Sequence, residues 1–156
     1  MKLTLLTVGK IKNESIAKLC EDYLGRAKHF FSLQSVDVKD CPMKGSTTVV
    51  QSQQKECDAL MAAIPSGAKV ILLDEKGKEF TTGKLSNLFQ SWQNQSVKEV
   101  VFVIGGAYGL SEEIKKKYPE KMALSQLTLT HEMSRLLFLE QIYRVGTILK
   151  GMKYHH

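Results

Sequence analysis

The chain lacks long apolar runs. Nothing in its 156 residues approaches the roughly 20 consecutive apolar residues that a membrane-spanning helix needs. The opening "MKLTLLTVGKIKNES" carries an apolar stretch shorter than a secretory signal's, with no small-residue cleavage site behind it, so it reads as a first strand. Cysteine is sparse too. Cys20, Cys41 and Cys57 are odd in number, far apart and form no CxxC. That argues against a disulfide framework or a zinc site and predicts a reducing, cytoplasmic setting, with no metal. Linkers, low-complexity tracts and internal repeats are missing as well, so residues 1–156 are expected to form one domain. Two phosphate signatures fail. Ala107 stands where GxGxxG needs its second glycine, and "GKEFTTGK" (Gly77 to Lys84) has one residue too many for a P-loop, with Leu85 in place of the required Ser or Thr.

What is present suits one compact core: 43% of the residues are hydrophobic. The net charge of +6 leaves two readings open, a polyanionic partner such as nucleic acid or a soluble protein that is simply basic. Strands are expected at Met1 to Val8, in "LQSVDVKD", from Lys69 to Asp74 ahead of a Gly77 turn, from Val100 to Ile104, and briefly in "MALSQLTLT". Helices are expected over Glu14 to Phe31, from a cap at Ser46, Thr47 or Thr48 to about Ile64, from Thr81 or Thr82 through Trp92, from Ser111 to Tyr118, and from His131 to Lys150 with Gly151 just past its end. Interior strands that are continuously apolar, alternating with helices, predict an α/β fold with a parallel sheet flanked by helices. Ligands of such sheets bind outside the carboxyl ends of the strands.

Three loops should meet at that edge. Two are "LLDEKGK" and "VIGGAYG", where Gly105, Gly106 and Gly109 remove side chains and permit positive φ. A tight strand-to-helix turn explains them as well as a ligand does. The third is "LSQLTLTHEMSRLLFLEQIYR". His131 and Arg135 stand four apart on one helix face behind Ser125, Thr128 and Thr130, which reads either as a functional constellation or as local capping with a Glu132–Arg135 ion pair. Glu140 and Arg144 read as a surface pair. The end, "GMKYHH", is a polar, histidine-bearing tail or a frayed terminus.

Taken in order, "KLTLLTVGKIK", "VILLDEKGK", "VFVIGGAYGLS", "ALSQLTLTHEMSRLLFLEQIYR" and "YHH" resemble the bacterial ribosomal RNA large subunit methyltransferase H family, of the SPOUT superfamily. The resemblance covers the whole chain. It implies a C-terminal trefoil knot, a homodimer, and S-adenosylmethionine-dependent methylation of N3 of a pseudouridine in 23S ribosomal RNA of the assembled ribosome. It places cofactor contacts on Leu73, Gly105, Leu124, Ser125, Gln126, Leu127, Thr128 and Leu129, with the adenosyl group approaching the bare glycine edge. Tyr154 and His155 would reach the partner subunit's loops. One departure stands out: the family commonly has proline before the motif histidine, and this chain has Thr130 in "TLTH".

The implied chemistry needs a base and an anion stabiliser, because the imide N3–H is a poor nucleophile until its proton leaves. His131 or His155 could take that proton, and Arg135 could stabilise the anionic carbonyl oxygens. Lys10, Lys12 and Lys115 to Lys117 are candidates for phosphate contacts. A receiver-like module is disfavoured because "TVGKIKN" follows the first strand where that module needs acidic residues. The remaining alternative is a noncatalytic, basic RNA-binding α/β module.

Overall fold

In the computed structural model, which describes residues 1–152, five parallel strands form one sheet. Strands β1 (Lys2–Val8), β2 (Ser32–Val38), β3 (Lys69–Glu79), β4 (Glu99–Ile104) and β5 (Lys121–Ala123) lie in the order β2–β1–β4–β3–β5. Helices α1 (Glu14–Lys28), α2 (Val49–Ala63), α3 (Thr82–Asn94) and α4 (Glu112–Lys117) connect them, and α5 (His131–Leu149) follows β5. The expected α/β architecture is what forms. Tyr154 and His155 lie outside the described residues.

β4 is flanked by β1 and β3, with Leu5↔Phe102 and Ile71↔Phe102 among its paired positions. Both of its faces are covered, which is why Val100 to Ile104 is apolar at every position. Val100, Phe102 and Ile104 join Leu3 and Leu5 under α1, α3 and α5. Val101 and Val103 join Leu6 and Val8 under α2 and α4. The first face is aromatic: Phe102 stacks on Phe89 at 6.0 Å and meets Phe138 at 4.7 Å between ring centres. Each such ring pair adds about 1 kcal/mol beyond its area burial.

The helix boundaries follow their caps. Thr48 and Gln51 form a reciprocal capping box, and Thr81, Ser111 and Thr130 each accept a backbone N–H of the first turn. Glu112 and Glu113 sit in the first turn of α4 and three lysines in its last, as the macrodipole favours. α5 ends in a Schellman arrangement: Met152 N–H bonds the Thr147 carbonyl, Gly151 N–H bonds the Ile148 carbonyl, and Gly151 has φ +66°.

β3 differs from expectation. It does not stop at Asp74 but resumes after an excursion, so that both Leu73 and Lys78 register with Met122 of β5. Gly77 is no free turn residue. A Cβ there would lie 2.5 Å from the Met122 carbonyl carbon, so the returning strand can pass β5 only on glycine. The excursion carries Asp74, Glu75 and Lys76 out over the carboxyl edge.

Candidate active site

A cavity of about 760 Å³ opens at the carboxyl ends of β3 and β4. Its floor is the glycine turn. Gly106 and Gly109 form an antiparallel bridge, closed by Gly109 N–H to the Gly106 carbonyl at 3.0 Å. A Cβ on Gly105 would meet the Gly109 carbonyl carbon at 2.6 Å and the Leu110 nitrogen at 3.0 Å. Gly105 is therefore bare because the chain folds back over it. The adenosyl group was the expected cause of that bareness; the turn's own backbone is the body that approaches. Of the three glycines only Gly109, at φ +73°, uses the left-handed region.

α2 supports this turn from beneath. Glu56 is buried; its Oε1 accepts the Cys41 N–H at 2.9 Å, and its Oε2 has no partner among the described residues. A Cβ on Gly106 would come within 2.5 Å of that Oε2, so the second glycine is fixed by a buried carboxylate. Gln53 Nε2 donates to the Tyr108 carbonyl at 2.8 Å and holds the tip of the turn.

The other walls come from the β3 excursion and from the segment before α5. Asp74 Oδ1 accepts the Lys76 N–H at 2.9 Å, and Oδ2 lies 3.4 Å from Lys115 Nζ. Burial opposes the Asp74 charge, but the Lys76 N–H and the cations of Lys115 and Lys121 outweigh it and hold the carboxyl below its usual range. Thr128 donates to Glu75 at 3.1 Å and Gln126 to Glu79 at 3.0 Å, so the two walls are stitched together. Leu73, Gly105, Leu124, Ser125, Leu127, Thr128 and Leu129, all expected at a cofactor site, line the cavity. Gln126 does not; its amide is spent on Glu79.

His131 and Arg135 part company. His131, the first residue of α5, lines the large cavity. Arg135 lines a separate cleft of about 250 Å³ beneath α1. Arg135 is 2% exposed, and its guanidinium donates to the Val8 carbonyl at 2.5 Å, the Gly9 carbonyl at 2.7 Å and Asp37 Oδ1 at 3.2 Å. Burial lowers its pKa and Asp37 works the other way. In this geometry Arg135 ties α5 to the ends of β1 and β2 and presents nothing to the cavity that holds His131. Glu132 does not pair with it; Glu132 Oε1 accepts the Lys12 N–H at 2.6 Å. Thr130, at φ −63°, occupies a backbone that proline also adopts and adds a side-chain cap to Met133 N–H at 3.2 Å. Glu140 and Arg144 do pair, half-buried rather than on the open surface.

Sequence reasoning missed Gln53, Glu56 and Tyr108. The first two lie on α2, about 50 residues before the turn they hold, and only the crossover topology brings them there. Among the described residues no cluster of His, Cys, Asp or Glu is arranged to hold a metal, and no helix is long and apolar enough to cross a membrane.

The profile described as "Predicted SPOUT methyltransferase" matches residues 1–155. The chain belongs to the SPOUT methyltransferase family. Curated relatives named "Ribosomal RNA large subunit methyltransferase H" are similar over the full length: those of Geobacter metallireducens and Flavobacterium psychrophilum are 37% identical and that of Flavobacterium johnsoniae 38%, in each case over 100% of this chain and 99% of the relative. Membership makes this an enzyme that transfers methyl groups, and the cavity at the carboxyl edge is its candidate active site.

Proposed function

We propose that this SPOUT methyltransferase uses S-adenosylmethionine to methylate N3 of a pseudouridine in 23S ribosomal RNA, on the assembled ribosome and as a cytoplasmic homodimer. The observation that carries the reading is the cavity itself. A floor at the Gly105–Gly109 turn meets a wall built from Leu124, Ser125, Leu127, Thr128 and Leu129. The relatives' shared name supports large-subunit ribosomal RNA as the substrate.

The residues present fit the cofactor. Leu73, Leu124 and Leu129 offer apolar walls, while backbone at Gly105, Ser125, Leu127 and Thr128 can read an adenine edge without special side chains. When bound, S-adenosylmethionine supplies an electrophilic methyl group on a sulfonium, which needs positioning rather than activation. His131, on the cavity wall at the start of α5, takes the proton from N3 and so creates the nucleophile. Arg135 contributes by position: it fixes the first turn of α5 to β1 and thereby fixes His131. Tyr154 and His155, from the partner subunit's terminus, would complete the site. Much of α5 is covered within the chain, since Tyr143 meets Tyr23 and Phe30 of the α1 region at 6.2 and 5.9 Å and Gln141 bonds Thr82 of α3 at 2.8 Å. The dimer reading therefore rests on the family and on half-buried Leu136, Leu137 and Ile148. The family's knot would pass the 124–130 segment through the chain beside the β3 excursion to which it is stitched.

The test is methyl incorporation from labelled cofactor into intact ribosomes and into isolated subunits, followed by mapping of the modified base. The reading requires incorporation into the large-subunit RNA of intact ribosomes at one pseudouridine. His131→Ala should then lower the single-turnover rate by about 100-fold while cofactor affinity changes little.

A further inference from the structure

Tyr108 is the one residue of the glycine turn with a large side chain, and that side chain is 43% exposed although it lines the cavity. A half-exposed aromatic ring is unremarkable on a loose loop. This turn is not loose. The Gly106–Gly109 hydrogen bond closes it at 3.0 Å, Gln53 Nε2 grips the Tyr108 carbonyl at 2.8 Å, and the buried Glu56 carboxylate lies directly beneath Gly106. Two hydrogen bonds and a packed carboxylate thus frame a turn whose one large ring has no stacking or cation partner among the described residues. Histidine aside, it is also the sole aromatic side chain lining the cavity among them.

We propose that the Tyr108 ring is the stacking platform for the target base, and so a substrate-binding residue of the transfer. The inference rests on the functional reading above. A base that is to be methylated on its pairing edge must be unpaired, and enzymes that do chemistry on a single-stranded or extruded base hold it by stacking on aromatic or apolar side chains. The ring is suited to that task because every base has a π face, while the N3 edge of a base stacked on it stays free for His131 and the methyl donor. Rigidity matters because a pre-positioned ring spends little entropy when the base arrives.

The inference separates Tyr108 from the cofactor. In single-turnover methylation of ribosomes, Tyr108→Ala should lower kcat/KM about tenfold, with the cofactor Kd, measured by calorimetry, unchanged. Tyr108→Phe and Tyr108→Trp should retain activity, because the ring acts and not the hydroxyl. Equal kcat/KM in Tyr108→Ala and parent would overturn the platform. So would a parallel loss of cofactor affinity, which would make the ring a cofactor wall, or a Phe variant as weak as Ala. If the parent itself fails to methylate ribosomes, the functional reading falls and the platform with it. If the parent succeeds and only the Ala comparison fails, the platform alone is wrong.

Discussion

Two neighbouring strands end in opposite ways. β1 and β4 run parallel and in register, Thr7 beside Ile104, and each passes directly into glycine. At the end of β1 a buried guanidinium closes the edge: Arg135 takes the Val8 and Gly9 carbonyls and ties them to Asp37. At the end of β4 Gln53 and Glu56 brace the glycine turn from one side, and among the described residues its other side stands open to a cavity of about 760 Å³. Residues at the start of α5 separate the two ends, His131 at the open one and Arg135 at the closed one. The carboxyl edge of a parallel sheet is thus not a site everywhere along its length. It is a site where the backbone is left unsealed.

The comparison breaks most severely at the closed end. Arg135→Ala takes their side-chain donor from the buried Val8 carbonyl and the half-buried Gly9 carbonyl, and we expect a loss of about 3 kcal/mol of stability in urea denaturation. Arg135→Lys should recover only part of it, since one ammonium cannot reproduce the forked contacts. At the open end, Gly105→Ala forces a Cβ into the returning backbone and should cost about 2 kcal/mol and abolish cofactor binding. Gly109→Ala meets open space but must hold φ +73°, so about 1 kcal/mol is expected, with weakened binding as the turn shifts. Denaturation paired with calorimetry on the same variants separates the three.

A smaller effect concerns pH. The Asp74 carboxyl is held below its usual range, so its contribution to stability is present above about pH 4, the ordinary aspartate value, and is lost as acidification passes the lower folded value. Asp74→Asn should be less stable than the parent at neutral pH, and the difference should shrink with acidification in that window. Parallel curves would mean that the Asp74 charge, held by the Lys76 N–H and the Lys115 cation, contributes nothing. Cys20 offers a control at the closed end: burial pushes its thiol up to about 11, so it should resist alkylation at pH 8.

Much of this was legible in the sequence because the signals are local. Caps at Ser111 and Thr130, the continuous apolar run of β4 and the three glycines each announce themselves within a few residues. What was not legible depends on distant parts meeting. At Gly105 the two readings of the sequence, a tight turn and a ligand, stood side by side, and the structure favours the turn, whose Gly109 and Leu110 backbone folds back on it. Gly77 looked like a turn because its close neighbour is β5, more than 40 residues on. The i, i+4 spacing of His131 and Arg135 suggested one shared site. Four residues also advance a helix by about 6 Å and overshoot a full turn by about 40°, enough to carry Arg135 from the open end to the closed one. Glu56 gave no signal at all, since a lone glutamate on an amphipathic helix reads as surface until a topology buries it.

The most direct test of the difference between the two ends is amide hydrogen exchange on the folded protein with and without S-adenosylmethionine. The account predicts slowed exchange along residues 104–110 and 124–130, with residues 8–10 and 36–40 unchanged. Protection at the β1 end, or none at the β4 end under saturating cofactor, would contradict it.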